Sequence, residues 1–268
     1  MTLSNTVVYF SSQLLEKNRW NGKGPSFIVS DWMGYIGEAG YAGVDLGMNQ
    51  LKLSSRSEWE LIKEKAEDND LALAYITATV PTDDSVKSQR LREAIIEACD
   101  YFNPDNLRFT FTEPNREGFV KPIKSSDFEM MNNWAKDLPR ETNLVFESGD
   151  SSLKVITEAQ EFLNAKRFKG TVSPFLMSLA DLEPSIKLPE NFICNLSVQT
   201  KLGADWTLLT DSEAEIKKRI SLIKKLGYAG TWTLDYTDGM GAKVEDIDFV
   251  FDNAEVDLNF LVDAWTAK

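Results

Sequence analysis

Eight short apolar or β-branched runs alternate with helical patterns from one end of the chain to the other, and no linker separates them. The runs cover residues 6–10, 43–47, 71–78, 106–113, 142–148, 168–175, 192–200 and 231–236. Parallel strands need a long crossover, usually a helix, which then lies on the face of the sheet, so this alternation predicts a parallel α/β architecture. Eight such units with short connections close most naturally into a (β/α)8 barrel. The 268 residues suit one such domain spanning 1–268, since a barrel of this kind needs ~250. An open doubly wound sheet shares the alternation. No Gly-x-Gly-x-x-Gly follows the first run, however, which counts against a dinucleotide-binding version.

The helical stretches fall at 26–39, 57–69, 85–101, 126–137, 152–165, 212–226 and 244–265, with a short one at 176–182 that Pro184 should limit. Residues 57–69 place Trp59, Leu61, Ile62 and Ala66 on one side, with Ser57 as N-cap. Residues 212–226 do the same with Ile216, Ile220, Ile223 and Leu226. The tetrapeptide Gly-Tyr-Ala-Gly occurs twice, at 40–43 and 227–230. Each copy ends a helical pattern, as a C-cap glycine would, and opens a strand. The first strand reads Val44-Asp45-Leu46 and the second Thr231-Trp232-Thr233-Leu234-Asp235.

Histidine is absent. Its absence removes the usual general base near neutral pH and the commonest transition-metal ligand. A serine–histidine triad, a cysteine–histidine dyad and a histidine-rich zinc site are excluded. The formal net charge of −13 argues against nucleic acid and anionic membranes as partners, because both attract basic patches. No apolar run approaches the ~18 residues of a membrane span, and Met1-Thr2-Leu3-Ser4-Asn5 lacks the basic region and apolar core of a secretory signal. Cys99 and Cys194 lie far apart and are expected as buried thiols of a reducing compartment, the cytoplasm by default.

In a barrel of this type the chemistry sits at the C-terminal ends of the strands. Those ends carry Ser11 or Ser12, Asp45, Thr77, Glu113, Glu147, Ser173, Ser197 with Gln199, and Asp235. In the seventh run Asn195, Ser197 and Gln199 alternate with Cys194, Leu196 and Val198, which implies a polar barrel interior at one end. Glu147 and Asp235 each follow an apolar strand into a partly desolvated mouth, where a carboxylate pKa rises, and they are the expected acid/base pair. Their strands are not sequential neighbours, so the two can face each other across the mouth. The alternative is that each simply pairs with a lysine or arginine, the role expected of Asp45 and Glu113. Lys201 follows the seventh strand and could meet an anionic group of a substrate, or be a solvated surface lysine. Arg108, at the start of its strand, is expected to be structural. Trp20, Trp32, Trp206, Trp232 and Tyr236 could stack on sugar rings or pack in the core. Trp206 and Tyr236, placed after strands, are the expected binding pair.

With these residues in place the chain resembles the sugar phosphate isomerase/epimerase family with the xylose-isomerase-like TIM barrel, related to endonuclease IV. The resemblance runs over nearly the whole chain. It is carried by Gly-Tyr-Ala-Gly-Val-Asp-Leu at 40–46, Leu-Val-Phe-Glu at 144–147 and Gly-Tyr-Ala-Gly-Thr-Trp-Thr-Leu-Asp at 227–235. It implies a divalent metal held by one residue at the end of each of strands five to eight: Glu, Asp, His and Glu. Carried over, those positions are Glu147, Ser173, Ser197 and Asp235. The first is kept and the last is a shorter carboxylate, but the middle two are lost. The strand-six Asp-x-x-His reads Ser173-Pro174-Phe175-Leu176, and the strand-seven His-x-Lys-Asp reads Ser197-Val198-Gln199-Thr200. A further histidine position is Gly149. The expectation is therefore no metal and no other cofactor.

The activity implied is isomerisation or epimerisation of a small carbohydrate or other hydroxy-carbonyl compound. Glu147 and Asp235 would move protons, and Ser173, Asn195, Ser197, Gln199 and Lys201 would donate hydrogen bonds. The alternative is a catalytically inactive barrel that binds a carbohydrate or a protein. Barrels of the family that the chain resembles often form homodimers, though the sequence does not fix the oligomeric state.

Overall fold

A computed structural model describes residues 7–16, 27–112, 124–147, 153–163, 166–240 and 246–267. Trp20, Glu113 and Gly149 lie outside the described residues. In chain order the elements are β1 (Val8–Ser11), α1 (Val29–Ala39), β2 (Gly43–Gly47), α2 (Met48–Leu51), α3 (Arg56–Asp68), β3 (Ala72–Pro81), α4 (Val86–Phe102), β4 (Asn106–Thr112) and α5 (Ser125–Trp134). There follow β5 (Asn143–Glu147), α6 (Leu153–Phe162), β6 (Phe168–Val172), α7 (Leu179–Ile186), β7 (Ile193–Val198), β8 (Lys201–Leu202), β9 (Asp205–Trp206), α8 (Glu213–Lys225), β10 (Thr231–Leu234) and α9 (Ile247–Thr266).

Eight strands close on themselves in the order β1-β10-β7-β6-β5-β4-β3-β2, every neighbouring pair parallel. This is the expected (β/α)8 barrel. β8 and β9 form a separate two-stranded antiparallel hairpin in which Lys201 pairs with Trp206. Each barrel strand splits its residues between two environments. Leu107, Phe109, Phe111, Leu144, Phe146, Leu196 and Trp232 are buried in the main hydrophobic core. Phe109, Phe111, Phe146 and Phe128 of α5 make edge or tilted ring contacts with centroids 5.5–5.9 Å apart. Many of the intervening residues are polar, though buried Val145 is among them, and Tyr9, Ala74 and Tyr75 form a second, smaller apolar cluster. The register aligns Arg108 with Thr77 on one side and Val145 on the other, and Asn195 with Thr231 and Thr171.

The two Gly-Tyr-Ala-Gly turns owe their composition to two separate needs. Gly40 and Gly227 end helical segments with φ of +94° and +77°, a conformation that L side chains resist. Gly43 and Gly230 lie where the chain runs against the next strand. A Cβ on Gly43 would sit 2.1 Å from the Ala72 carbonyl oxygen, and one on Gly230 would sit 2.3 Å from that of Cys194.

Several expected boundaries move. α3 begins at Arg56 because Ser55, not Ser57, caps it, its hydroxyl accepting from the Glu58 amide at 3.3 Å. α7 starts later than expected, capped by Ser178 on the Asp181 amide, and continues through Pro184 to Ile186. Pro184 removes one helical donor, but the Ser185 hydroxyl donates to the Asp181 carbonyl at 2.7 Å in the same turn. β6 and β7 end at Val172 and Val198, so Ser173 and Gln199 belong to the loops that leave the barrel. Both cysteines are free thiols. Among the described residues no helix is long and apolar enough to cross a membrane.

Candidate active site

The barrel interior is filled by two polar tiers. In the lower one, Asn195 donates to Thr231 at 3.0 Å and to Thr233 at 2.9 Å, and its carbonyl accepts from Thr171 at 2.9 Å. Tyr75 and Thr231 share a hydrogen bond of 2.7 Å. Asn195 is fully buried and its amide is spent within this tier. It is not brought to the mouth with the other expected donors.

The upper tier is built around Arg108, whose side chain is wholly buried. Its Nε donates to Thr77 Oγ1 at 3.0 Å and lies 3.5 Å from Glu147 Oε2. Nη1 and Nη2 fork onto the two oxygens of Asp235, the Nη1 bond being 2.8 Å. Nη2 also lies 3.3 Å from Asp45 Oδ2. Thr77 in turn donates to Asp45 at 2.7 Å, and Ser197 donates to Asp235. Three carboxylates from β2, β5 and the residue after β10 thus share one guanidinium from β4. Arg108 thus pairs with both Glu147 and Asp235, the alternative anticipated for those two carboxylates, and also with Asp45. Its place at the start of the strand says little, because the long side chain reaches up the barrel axis to the strand ends.

The electrostatics follow from burial and from this sharing. Burial alone would favour a neutral guanidine, but Asp235, Asp45 and Glu147 together hold Arg108 protonated with its pKa well above the ordinary value. Burial also raises the pKa of Asp45. Arg108 opposes that rise and the charge of Asp235 reinforces it. Glu147 is pushed up to about 7, by burial first, against the pull of Arg108 and with a further push from Asp235 and Asp45. Glu147 differs from the other two in access. Its side chain is 19% exposed, against 0% for Asp45 and 2% for Asp235. It accepts no hydrogen bond among the described residues.

Above this tier Gln199 Nε2 donates to Ser173 at 2.6 Å and to Ser197 at 2.9 Å. The Ser197 hydroxyl in turn donates to Asp235. Ser173 has no acceptor for its proton among the described residues, so its hydroxyl remains a donor. Tyr236 stacks on Trp206 with centroids 4.0 Å apart and planes at 17°, and its hydroxyl donates to Gln13 at 3.2 Å. Lys201, exposed, places Nζ 3.8 Å from the centre of the Trp206 ring.

The remaining expected residues fall elsewhere. Trp232 is a core residue against Phe175 and Trp265, and Trp32 packs with Tyr35 and Phe251 between α1 and α9. The Ser12 hydroxyl accepts from the Gly47 amide at 2.7 Å and ties β1 to β2. A cavity of about 380 Å³ does open in the molecule, but at the opposite end, lined by Lys169, Ile193, Cys194 and Tyr228 at the strand starts. It lies far from the converging carboxylates, and chemistry in barrels belongs to the other face.

Asp257 on α9 was not anticipated. It is buried, accepts from the Leu209 amide at 2.7 Å and from Thr237 at 2.6 Å, and so ties the loop after β10 to the segment before α8. Burial, partly offset by those two hydrogen bonds, pushes its pKa up to about 7. A lone aspartate inside the apolar face of residues 244–265 was the available signal.

No family model and no curated protein matches the chain. Solved structures do match. A xylose isomerase-like TIM barrel protein from Mycobacterium smegmatis, in complex with magnesium, superposes with a TM-score of 0.66 at 12% identity, covering 99% of this chain and 100% of that one. D-psicose 3-epimerase from Clostridium cellulolyticum H10, with D-tagatose, gives 0.69 at 10% identity, over 97% and 99%. A probable 3-DHS dehydratase involved in petrobactin synthesis from Bacillus anthracis gives 0.62 at 12%, over 94% and 98%. The chain therefore has the fold of the xylose isomerase-like TIM barrels.

Proposed function

We propose that the chain takes a small carbohydrate-like hydroxy-carbonyl compound at the C-terminal mouth of the barrel and moves a proton α to its carbonyl, without a divalent metal. One observation carries this reading. Of the three carboxylates around Arg108, Glu147 alone combines solvent access, no hydrogen-bond donor among the described residues and a pKa pushed up to about 7. A carboxylate so placed serves as a general base near neutral pH. The Ser173 hydroxyl, oriented by Gln199, would donate to the substrate oxygen on which negative charge develops, and Arg108 supplies a fixed positive charge beneath it. The epimerases among the structural neighbours support the substrate class.

The donor set does not fit the metal that the resemblance implies. Both oxygens of Asp235 are engaged by Arg108, and the other two positions carry serines in place of aspartate and histidine. The experiment is proton exchange in D2O with EDTA present, followed by NMR over a panel of ketoses, aldoses and their phosphates. Exchange that vanishes in Glu147→Gln supports the reading; exchange that Glu147→Gln leaves intact, or none with any compound, sinks it.

A second reading is favoured by the state of Asp235. Its fork to Arg108 and its bond from Ser197 leave it poorly placed as a second acid/base on the opposite face of a substrate. The barrel would then bind its ligand without converting it. Thermal stabilisation by a sugar, with no proton exchange, selects this reading.

A further inference from the structure

Arg108 stands where a chelated cation would stand. Its guanidinium touches Glu147, Asp45 and Asp235, and the first and last of these occupy the positions that the resemblance assigns to metal ligands. Hard divalent ions bind carboxylate oxygens at about 2.0–2.6 Å, and charged N–H···O contacts run at about 2.7–2.9 Å. The two kinds of cation therefore need the same oxygens and the same space. Among the described residues no three Asp, Glu, Cys or His side chains approach closely enough to hold a metal as they stand.

We propose that Arg108 is the built-in cation of this barrel, and that guanidinium and divalent metal are mutually exclusive occupants of the space between Glu147 and Asp235. A metal offers open coordination positions to substrate oxygens. Arg108 has its N–H groups turned to Asp235 and Thr77, so it contributes a fixed positive charge rather than a place where ligands exchange. Its charge does not depend on metal supply. The inference deepens the metal-free part of the proposed function and needs no substrate. A failed search for sugar activity would leave it standing, and stoichiometric metal in the wild type would remove it whatever the substrate.

The test is equilibrium dialysis against Mn2+ with no sugar present, on the wild type, Glu147→Gln, Arg108→Ala and Arg108→Ala/Glu147→Gln. The wild type should retain no Mn2+ that Glu147→Gln abolishes. Arg108→Ala should gain about one equivalent, lose it on adding Glu147→Gln, and melt at a temperature that climbs with Mn2+ concentration. Stoichiometric Mn2+ on the wild type that depends on Glu147 overturns the proposal, and so does a folded Arg108→Ala that gains none. If Arg108→Ala does not fold unaided, Arg108→Ala/Asp45→Asn removes one buried charge and carries the same expectation. If neither folds unaided, refolding Arg108→Ala with and without Mn2+ decides. Recovery only with Mn2+ upholds the proposal, and recovery in neither condition overturns it.

Discussion

Replacing Arg108 with methionine removes the guanidinium and keeps most of the stem. The variant then buries Asp45 and Asp235 with their main cationic partner gone, together with the half-buried Glu147. Breaking a buried ion pair by removing one partner costs about 3–5 kcal/mol. Two charged hydrogen bonds to Asp235 disappear as well, each worth about 1.5–3 kcal/mol. These are two views of the same loss and do not add, so we expect about 3–5 kcal/mol at pH 8, against the 5–15 kcal/mol typical of a folded domain.

The carboxylates have one escape, which is to take up protons. Without Arg108, which opposes the rise at Asp45 and Glu147, the folded pKa values of those two climb further above the unfolded range of about 4. A group raised in this way adds stability that is complete below its unfolded pKa and is lost as pH climbs through its folded pKa. The defect in Arg108→Met should therefore shrink by about 1–2 kcal/mol between pH 8 and pH 5, since each unit of pKa shift is worth 1.36 kcal/mol. Urea unfolding of both proteins at the two pH values measures this. A loss below about 1 kcal/mol, equal at both pH values, would refute the central role given to Arg108.

In the wild type, Glu147 and Asp257 both have pKa values pushed up to about 7, so the stability they contribute should fall between about pH 4 and 7, and Glu147→Gln or Asp257→Asn should each flatten part of that slope in urea melts. Asp257→Ala strands the Leu209 amide and the Thr237 hydroxyl and should cost about 2 kcal/mol at neutral pH, with Asp257→Asn costing less. Gly230→Ala drives a methyl group against the Cys194 carbonyl and should cost about 1–3 kcal/mol. Gly227→Ala, with nothing near its Cβ, meets only the positive-φ penalty of about 1–2 kcal/mol. Ser173→Ala should lower turnover and, by taking one acceptor from the Gln199 amide, cost about 1 kcal/mol in urea unfolding.

The barrel was legible because its signals are local. Alternating runs, helix-ending glycines and the polar face of Asn195, Ser197 and Gln199 all sit within a few residues of the features they specify. Arg108 was visible as well, alternating with Phe109 and Phe111 in the same way as strand seven, but its role was not. A position in a strand gives the side of the sheet. How far a long side chain reaches along the axis depends on the tilt and register of eight strands together. The same limit hid the split between tiers. Asn195 and Ser197 look equivalent in sequence, yet one is locked to Thr171, Thr231 and Thr233 while the other reaches Asp235. The hairpin that brings Lys201 over Trp206 left no strand-like run, being two residues per strand.

Crystals grown in excess Mn2+ and measured at the manganese absorption edge test the account most directly. We expect guanidinium density forked onto Asp235, with Asp45 and Glu147 alongside, and no anomalous peak among them. An anomalous peak between Glu147 and Asp235, with Arg108 turned away, would contradict it.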